Sequence, residues 1–296
     1  MRAAILGRAT RAYSLPASVV PVLLGTVLAA QGYGGERGAF DLLALFIVLL
    51  GAILAHIGAN VLNDYFDFVK GVDTRPEHGS GVLTRGEMSA PQALNFALLL
   101  FAGATVCGLL LLRRHASVVI PLGSIGLACA VIYPALLKRY GFGDLLIILA
   151  FGLGLTLGAY GVQAGALSLR AGLRVALYSL PICLLVDAIL HANNLRDARD
   201  DRAAKVRTLA TMLSPAAGRR WQLFLLFGPI LFVIGGVAGG FLPLWSLGAI
   251  AAAPLLVRAA RSGSVEGTAQ THLVFGLLYT VSFLFTPVFF RLGPGS

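Results

Sequence analysis

The sequence predicts an all-α membrane protein, a bundle of nine transmembrane helices in one domain. Three observations carry that prediction. Hydrophobic residues fill 57% of the 296 positions and charged residues only 12%, with a mean hydropathy of +0.84, which is more apolar surface than one water-soluble core can hide. Apolar windows of about 17–23 residues, each long enough to cross a hydrocarbon layer, recur along the whole chain. The remaining charges lie between those windows and are shared unequally between the two sides.

The first window, 15–31, opens with "SLPASVVPVLLGT". Its basic leader "MRAAILGRATR" and the later "VLAAQ" invite comparison with a cleavable signal, but Pro16, Pro21 and Gly25 interrupt the apolar run. Removing it would also invert the charge placement of every later loop, so it reads as a span. The second window, 40–62, runs through "LLALFIVLLGAILAHIGA" straight into the acidic stretch "NVLNDYFDFVKGVDT". The windows 91–112, 117–133 and 172–192 hold Cys107, Cys129 and Cys183; without CxxC spacing these read as small packing residues. The windows 144–163, with "GLGLTLGAYG", and 222–240, with "IGGVAGG", carry the glycines that let helices approach closely in lipid. Windows 244–257 and 272–290 complete the nine.

Placing the N-terminus inside puts 17 of the 23 Lys and Arg on inside segments and leaves 6 outside, which fixes the orientation by the positive-inside rule. Arg113 and Arg114 dissent. Topology thus accounts for most of the formal charge of +10, and a nucleic-acid partner is not needed to explain it. The expected location is a bacterial-type inner membrane, with the long polar loops cytoplasmic.

Six of the nine aspartates fall in two short stretches: Asp64, Asp67 and Asp73, then Asp197, Asp200 and Asp201. Each stretch follows a span, the second and the sixth, and opens into a long inside loop, so the two are expected to meet at one end of the bundle. Asn60, Asp64 and Asp67 stand at i, i+4 and i+7 on one helical face, and Asp73 follows past a turn at Gly71. Asp187, His191 and Asn194 form a similar stripe that continues into Asp197 and Asp201. Carboxylates so crowded near a membrane need positive compensation. Local pairs such as Arg196–Asp200 and Asp201–Lys205 could supply it within a salt-bridged loop. Two stretches repeating an amide-then-carboxylate order favour divalent-metal binding instead, because hard oxygen ligands suit Mg²⁺ shared with substrate phosphates. Lys70, Arg75, Arg85, Lys138, Arg139, Lys205 and Arg207 on the same side would grip the phosphate. A phosphorylated head held at the end of an apolar bundle points to a polyprenyl diphosphate, whose departure leaves an allylic cation shielded from water.

These residues resemble the UbiA superfamily of intramembrane prenyltransferases: the first stretch is similar to its NDxxD signature, and "NNLRDARDD" before "KVRTLA" to its DxxxD signature. "SLPASVVPVLLGT", "KGVD", "YGFGDLL" and "GAYGVQAG" further resemble the branch that prenylates 1,4-dihydroxy-2-naphthoate for menaquinone. The likeness spans about residues 11–285. It implies that Asp64, Asp67, Asp73, Asp197 and Asp201 hold Mg²⁺, with Asn60, Asn63, Asn193 and Asn194 as motif amides. It also implies that Lys70, Arg75, Lys138, Lys205 and Arg207 neutralise the leaving diphosphate. Tyr133 and Tyr140 are candidates to face the diphosphate or the cation, although interfacial tyrosines commonly serve the membrane belt. His191 is a candidate base for the aromatic acceptor, with a structural hydrogen bond as the plainer reading; His56 and His272 read as packing residues. Two departures stand out. Gly71 occupies the place of a third aspartate, which shifts to Asp73 as in the menaquinone branch, and Arg11-Ala12 replaces an Arg-Pro pair.

The resemblance implies prenyl transfer to an aromatic quinone precursor, with 1,4-dihydroxy-2-naphthoate the preferred acceptor and 4-hydroxybenzoate or homogentisate as alternatives. A cation-coupled transporter is the rival class, but its sites lie near the midplane on broken helices. A CDP-alcohol phosphotransferase would order its aspartates differently.

Overall fold

The computed structural model describes residues 3–35, 38–73, 75–76, 79–132 and 140–285, and within these the protein is built from helices without strands. A short α1 (Ala3–Ala9) leads into α2 (Pro16–Ala30), which starts with proline at the position where a missing N–H costs nothing. Asp41 caps α3 (Leu42–Val69) by accepting from the Ala44 amide at 2.9 Å. Next come α4 (Ala90–Ile132) and α5 (Gly143–Ile147), the latter continuing through a π-helical turn at Ile148–Gly154 into α6 (Leu155–Ala164). Ser168 caps α7 (Leu169–Ala203), which is followed by the single turn α8 (Leu209–Met212). Ser214 and Pro215 start α9 (Pro215–Ala238), a 3₁₀ segment Leu244–Ala252 leads into α10 (Ala253–Ser262), and Ser264 caps α11 (Val265–Ser282).

Eight helices among the described residues are long and apolar enough to cross a membrane, where the sequence predicts nine. The difference is α4, whose 43 residues would span about 65 Å if straight, twice a hydrocarbon core. It is not straight. His115 leaves helical geometry (φ −131°, ψ 27°), and beyond it the chain doubles back. Ala93, Ala97 and Phe101 from the first arm and Leu127 and Ala130 from the second pack in the cluster around Val61 and Leu62 of α3. Near the break, Leu111 and Val118 instead pack with Ala44, at the other end of α3. The predicted windows 91–112 and 117–133 are therefore the two arms of one element, separated by a break too short to register as a loop.

A central core joins α2, α6, α7, α9 and α11 through residues such as Leu24, Tyr160, Ile182, Leu225 and Phe275, all fully buried. Glycine permits its tightest contacts. A Cβ on Gly25 of α2 would lie 2.1 Å from the Thr156 carbonyl oxygen of α6, and one on Gly152 would lie 2.6 Å from Cys183 Sγ. The outward faces carry exposed Leu43, Phe46, Leu99, Leu110 and Leu231, an apolar coat suited to lipid and not to water. The protein is an integral, multi-pass membrane protein.

Candidate active site

α3 and α7 end in the same way, and that ending builds the site. Asn63 donates to Asp67 at 3.0 Å within α3, and Asn193 donates to Asp197 at 3.3 Å within α7. Each helix then stops at a residue in the left-handed region, Gly71 (φ 69°) and Lys205 (φ 58°). The carbonyl of Asp67 accepts from Val72 and Asp73, and that of Asp201 from Val206 at 2.8 Å, so both chains turn back over their helix ends. This turn is what returns Asp73 toward Asp67, as its position past Gly71 predicts.

The two acidic stretches meet. One polar pocket is lined by Asn63, Asp67 and Asp73 from the first stretch and by Asn193, Asn194, Asp197, Asp200 and Asp201 from the second. Arg75 crosses between them to Asp200 at 3.0 Å. Asp64 turns away from this pocket: it pairs with Arg11 and accepts from the Ser80 amide at 3.1 Å. Arg196 chelates Asp197 with two bonds of 2.7 Å and also reaches Asn193 Oδ1 at 2.9 Å.

Beside the polar pocket lies a chamber of ≈ 170 Å³, mostly apolar, which shares Arg11, Asn63, Asn193 and Asn194 with it. Its walls come from Ala17 of α2, Cys129 and Ala130 of the second α4 arm, Leu146 and Ile147 of α5, Phe151 of the π turn, and Val186 and Ile189 of α7. A π turn inside a membrane helix fits a wall that must re-aim one side chain, here Phe151, whose ring meets His56 edge-on at 4.8 Å. Asn60, on the chamber wall, donates to Ser14 at 3.2 Å, and the buried amide nitrogen of Asn194 has no hydrogen-bond partner among the described residues.

Arg11 is the site residue that the sequence reading missed, counting it only as a loop charge. It sits at φ 47° just before α2, buried, and touches both compartments. Burial works against its charge, but Asp64, with Tyr13, Asp73 and Asp67 behind it, holds the guanidinium above its ordinary pKa. The available signal was position: Arg11 is the last basic residue before the first span, next to the noted departure at Ala12. His56, read as a packing residue, lies on the chamber wall with its ring nitrogens 3.2 Å from Ser14 Oγ and 2.8 Å from Ser18 Oγ.

The other predicted residues spread around this centre. Lys70 lies exposed over the Phe66 ring, and Arg75, Lys205, Arg207 and Tyr140 are exposed; none of the five lines either compartment. Lys138 and Tyr133 lie outside the described residues. His191 is fully buried and does not line the chamber: its Nδ1 faces Asp144 at 3.3 Å and its Nε2 the Gly218 carbonyl at 3.0 Å. Both of its ring nitrogens are thus engaged on the far side of the chamber wall.

The donor chemistry suits Mg²⁺, since carboxylate and amide oxygens face one pocket. Among the described residues no three acidic or histidine groups close on one point. A cation shared between carboxylates and a phosphorylated substrate needs no such protein cage.

Comparison with known proteins gives these features a common context. The model of the UbiA prenyltransferase family matches residues 18–277. A UbiA prenyltransferase domain-containing protein 1 homolog from Drosophila melanogaster is 32% identical, covering 93% of this chain and 77% of its own. The 1,4-dihydroxy-2-naphthoate octaprenyltransferase of Bacillus subtilis is 28% identical over 95% of this chain and 92% of its own. Among solved structures, the apo UbiA homolog from Aeropyrum pernix K1 superposes with a TM-score of 0.69 at 20% identity, covering 96% of this chain and 98% of its own. The UbiA homolog from Archaeoglobus fulgidus bound to GPP and Mg²⁺ gives 0.60 at 11% identity, covering 95% and 98%.

Proposed function

Because the chain belongs to the UbiA prenyltransferase family and is thus a membrane-embedded prenyltransferase, we propose that it moves a polyprenyl group from its diphosphate to 1,4-dihydroxy-2-naphthoate, with Mg²⁺. The observation that carries the reading is the adjacency of a polar, acid-lined pocket and an apolar chamber that share Arg11, Asn63, Asn193 and Asn194. The diphosphate occupies the first, the allylic end and the arene the second. The naphthoate prenyltransferase relative supports the choice of acceptor, and the homolog bound to GPP and Mg²⁺ supports the donor and the metal.

Asp67, Asp73, Asp197 and Asp201 would hold Mg²⁺, with Asp64 joining once Arg11 turns to the diphosphate. The bound metal would neutralise charge on the departing group. Lys70, Arg75, Lys138, Lys205 and Arg207 would collect the diphosphate at the rim, and Asn60 and Asn194 would orient the arene by accepting from a hydroxyl and donating to an oxygen. The chamber walls keep water from the cation. The two arms of α4 count as separate passes, giving nine spans in one domain, with the site on the cytoplasmic side of the membrane.

The test incubates purified protein with Mg²⁺, a polyprenyl diphosphate and 1,4-dihydroxy-2-naphthoate, 4-hydroxybenzoate or homogentisate in turn. Prenylated naphthoquinol with release of CO₂ is the expected product. Prenylation confined to either of the other arenes would overturn the acceptor but leave the clamp standing.

A further inference from the structure

The polar edge of the chamber beside Arg11 is tied together by a chain of hydrogen bonds that the proposed reaction does not itself use. Arg11 holds a left-handed backbone (φ 47°, ψ 51°), which a residue with a Cβ keeps only where its surroundings fix it. Its carbonyl accepts twice from Ser14, from the amide and from the hydroxyl, each at 2.8 Å, across the 3₁₀ turn Ala12–Ser14. Ser14 Oγ also meets two groups of α3, Asn60 Nδ2 at 3.2 Å and His56 Nε2 at 3.2 Å. On the other side of the ring, His56 Nδ1 lies 2.8 Å from Ser18 Oγ of α2. Ser14, Ser18 and His56 are buried, and Ser14, His56 and Asn60 line the chamber together with Arg11.

The direction of each bond follows from the groups that make it. The Arg11 carbonyl can only accept, and two oxygens 2.8 Å apart need a hydrogen between them, so the Ser14 O–H is spent on Arg11. The two lone pairs of Ser14 Oγ then receive the Asn60 N–H and a hydrogen from His56 Nε2. Nδ1 is left bare and accepts from the Ser18 hydroxyl. A single ring hydrogen therefore satisfies every step, from Ser18 through His56 and Ser14 to the carbonyl of Arg11.

We propose that His56 is a positioning residue for Arg11: donating from Nε2, it fixes the Ser14 hydroxyl and, through it, the left-handed turn that aims the guanidinium at the junction of the two compartments. Arg11 lines both of them, so a turn that relaxed would withdraw the one cation they share. A histidine that only filled space between α2 and α3 would act independently of Arg11, and that difference is measurable. The inference rests on Arg11 gripping the diphosphate, as the proposed function has it.

The first measurement needs no ligand. Nitrogen NMR spectra of the histidine-labelled protein and of its His56→Gln variant at neutral pH identify the His56 signals by their loss; a hydrogen on Nε2 and a bare Nδ1 are expected, and a hydrogen on Nδ1 overturns the proposal. The second is a double-mutant cycle on the Kd for geranyl diphosphate with Mg²⁺, which needs no arene. His56→Leu should weaken binding at least fivefold in the parent, yet by less than about twofold in an Arg11→Gly background, where glycine adopts the turn unaided and no guanidinium is left to aim. His56→Gln, whose amide N–H can take the place of Nε2, should stay within about threefold of the parent. Equal losses in both backgrounds, or a glutamine variant as weak as leucine, would sink the positioning role while leaving the proposed function in place. A parent that binds no geranyl diphosphate would sink both. Should His56→Leu fail to fold, Ser14→Ala runs the same cycle with the same expected outcomes.

Discussion

Replacing Arg11 by glycine separates its charge from its backbone, because glycine accepts a φ of 47° at no steric cost. Arg11→Gly is expected to lower prenyl transfer at least tenfold without lowering thermal stability by more than a few degrees, since the Asp64 carboxylate it abandons can still reach the Ser80 amide. A thermal melt beside a turnover assay separates the two effects. Asp67→Asn and Asp197→Asn should each abolish most turnover; unchanged rates in both would remove the metal-site reading. Lys205 is a sharper case, being a non-glycine residue at φ 58° where α3 uses Gly71. Lys205→Gly should raise unfolding stability by up to about 1 kcal/mol while raising KM for the diphosphate. Loss of both would mean that the lysine side chain anchors the turn. At this scale the acidic residues were legible because charge in an apolar chain has few reasons to exist. Arg11, Asn60's partner Ser14 and the chamber histidine His56 were not, because their roles come from contacts across 42 to 53 residues of chain.

Helix α2 meets α6 through Gly25, whose missing side chain lets the two backbones touch. Gly25→Ala must push a methyl against the Thr156 carbonyl, backbone that has nowhere to yield, so a loss of about 1–3 kcal/mol is expected, read as a drop in melting temperature in detergent. Gly158, whose added Cβ meets nothing within 4 Å, is the control and should tolerate alanine. Spans were readable from hydropathy because lipid demands long apolar helices. The π turn at Ile148–Gly154 was not, since a shift in hydrogen-bond register leaves composition unchanged; the doubling of α4 was readable as the separate windows 91–112 and 117–133, but not that a single residue, His115, makes the turn.

Seen as one body, the protein gathers its buried charge at one end, where α3 and α7 stop, and leaves the other end to Asp41, Gln163 and the arginines near the α4 break. Asp41 and Gln163 exchange two hydrogen bonds of 2.8 and 2.9 Å there, tying the start of α3 to the end of α6. Single cysteines placed at Arg75 and at Arg170 in a cysteine-free background should react from opposite sides of sealed vesicles, with position 75 cytoplasmic; reaction from one side would overturn the topology. The α4 break also bears on how the chain is made. A hairpin tipped by the exposed Arg113 and Arg114, with no loop between its arms, cannot be laid into the bilayer one arm at a time. Drawing two arginines across costs roughly 2.5–3.5 kcal/mol apiece, an expense the first arm meets only once the second has emerged to share it. A nascent chain arrested at residue 114 should therefore leave that arm outside the translocon, digestible by protease, and one arrested past residue 140 should protect it.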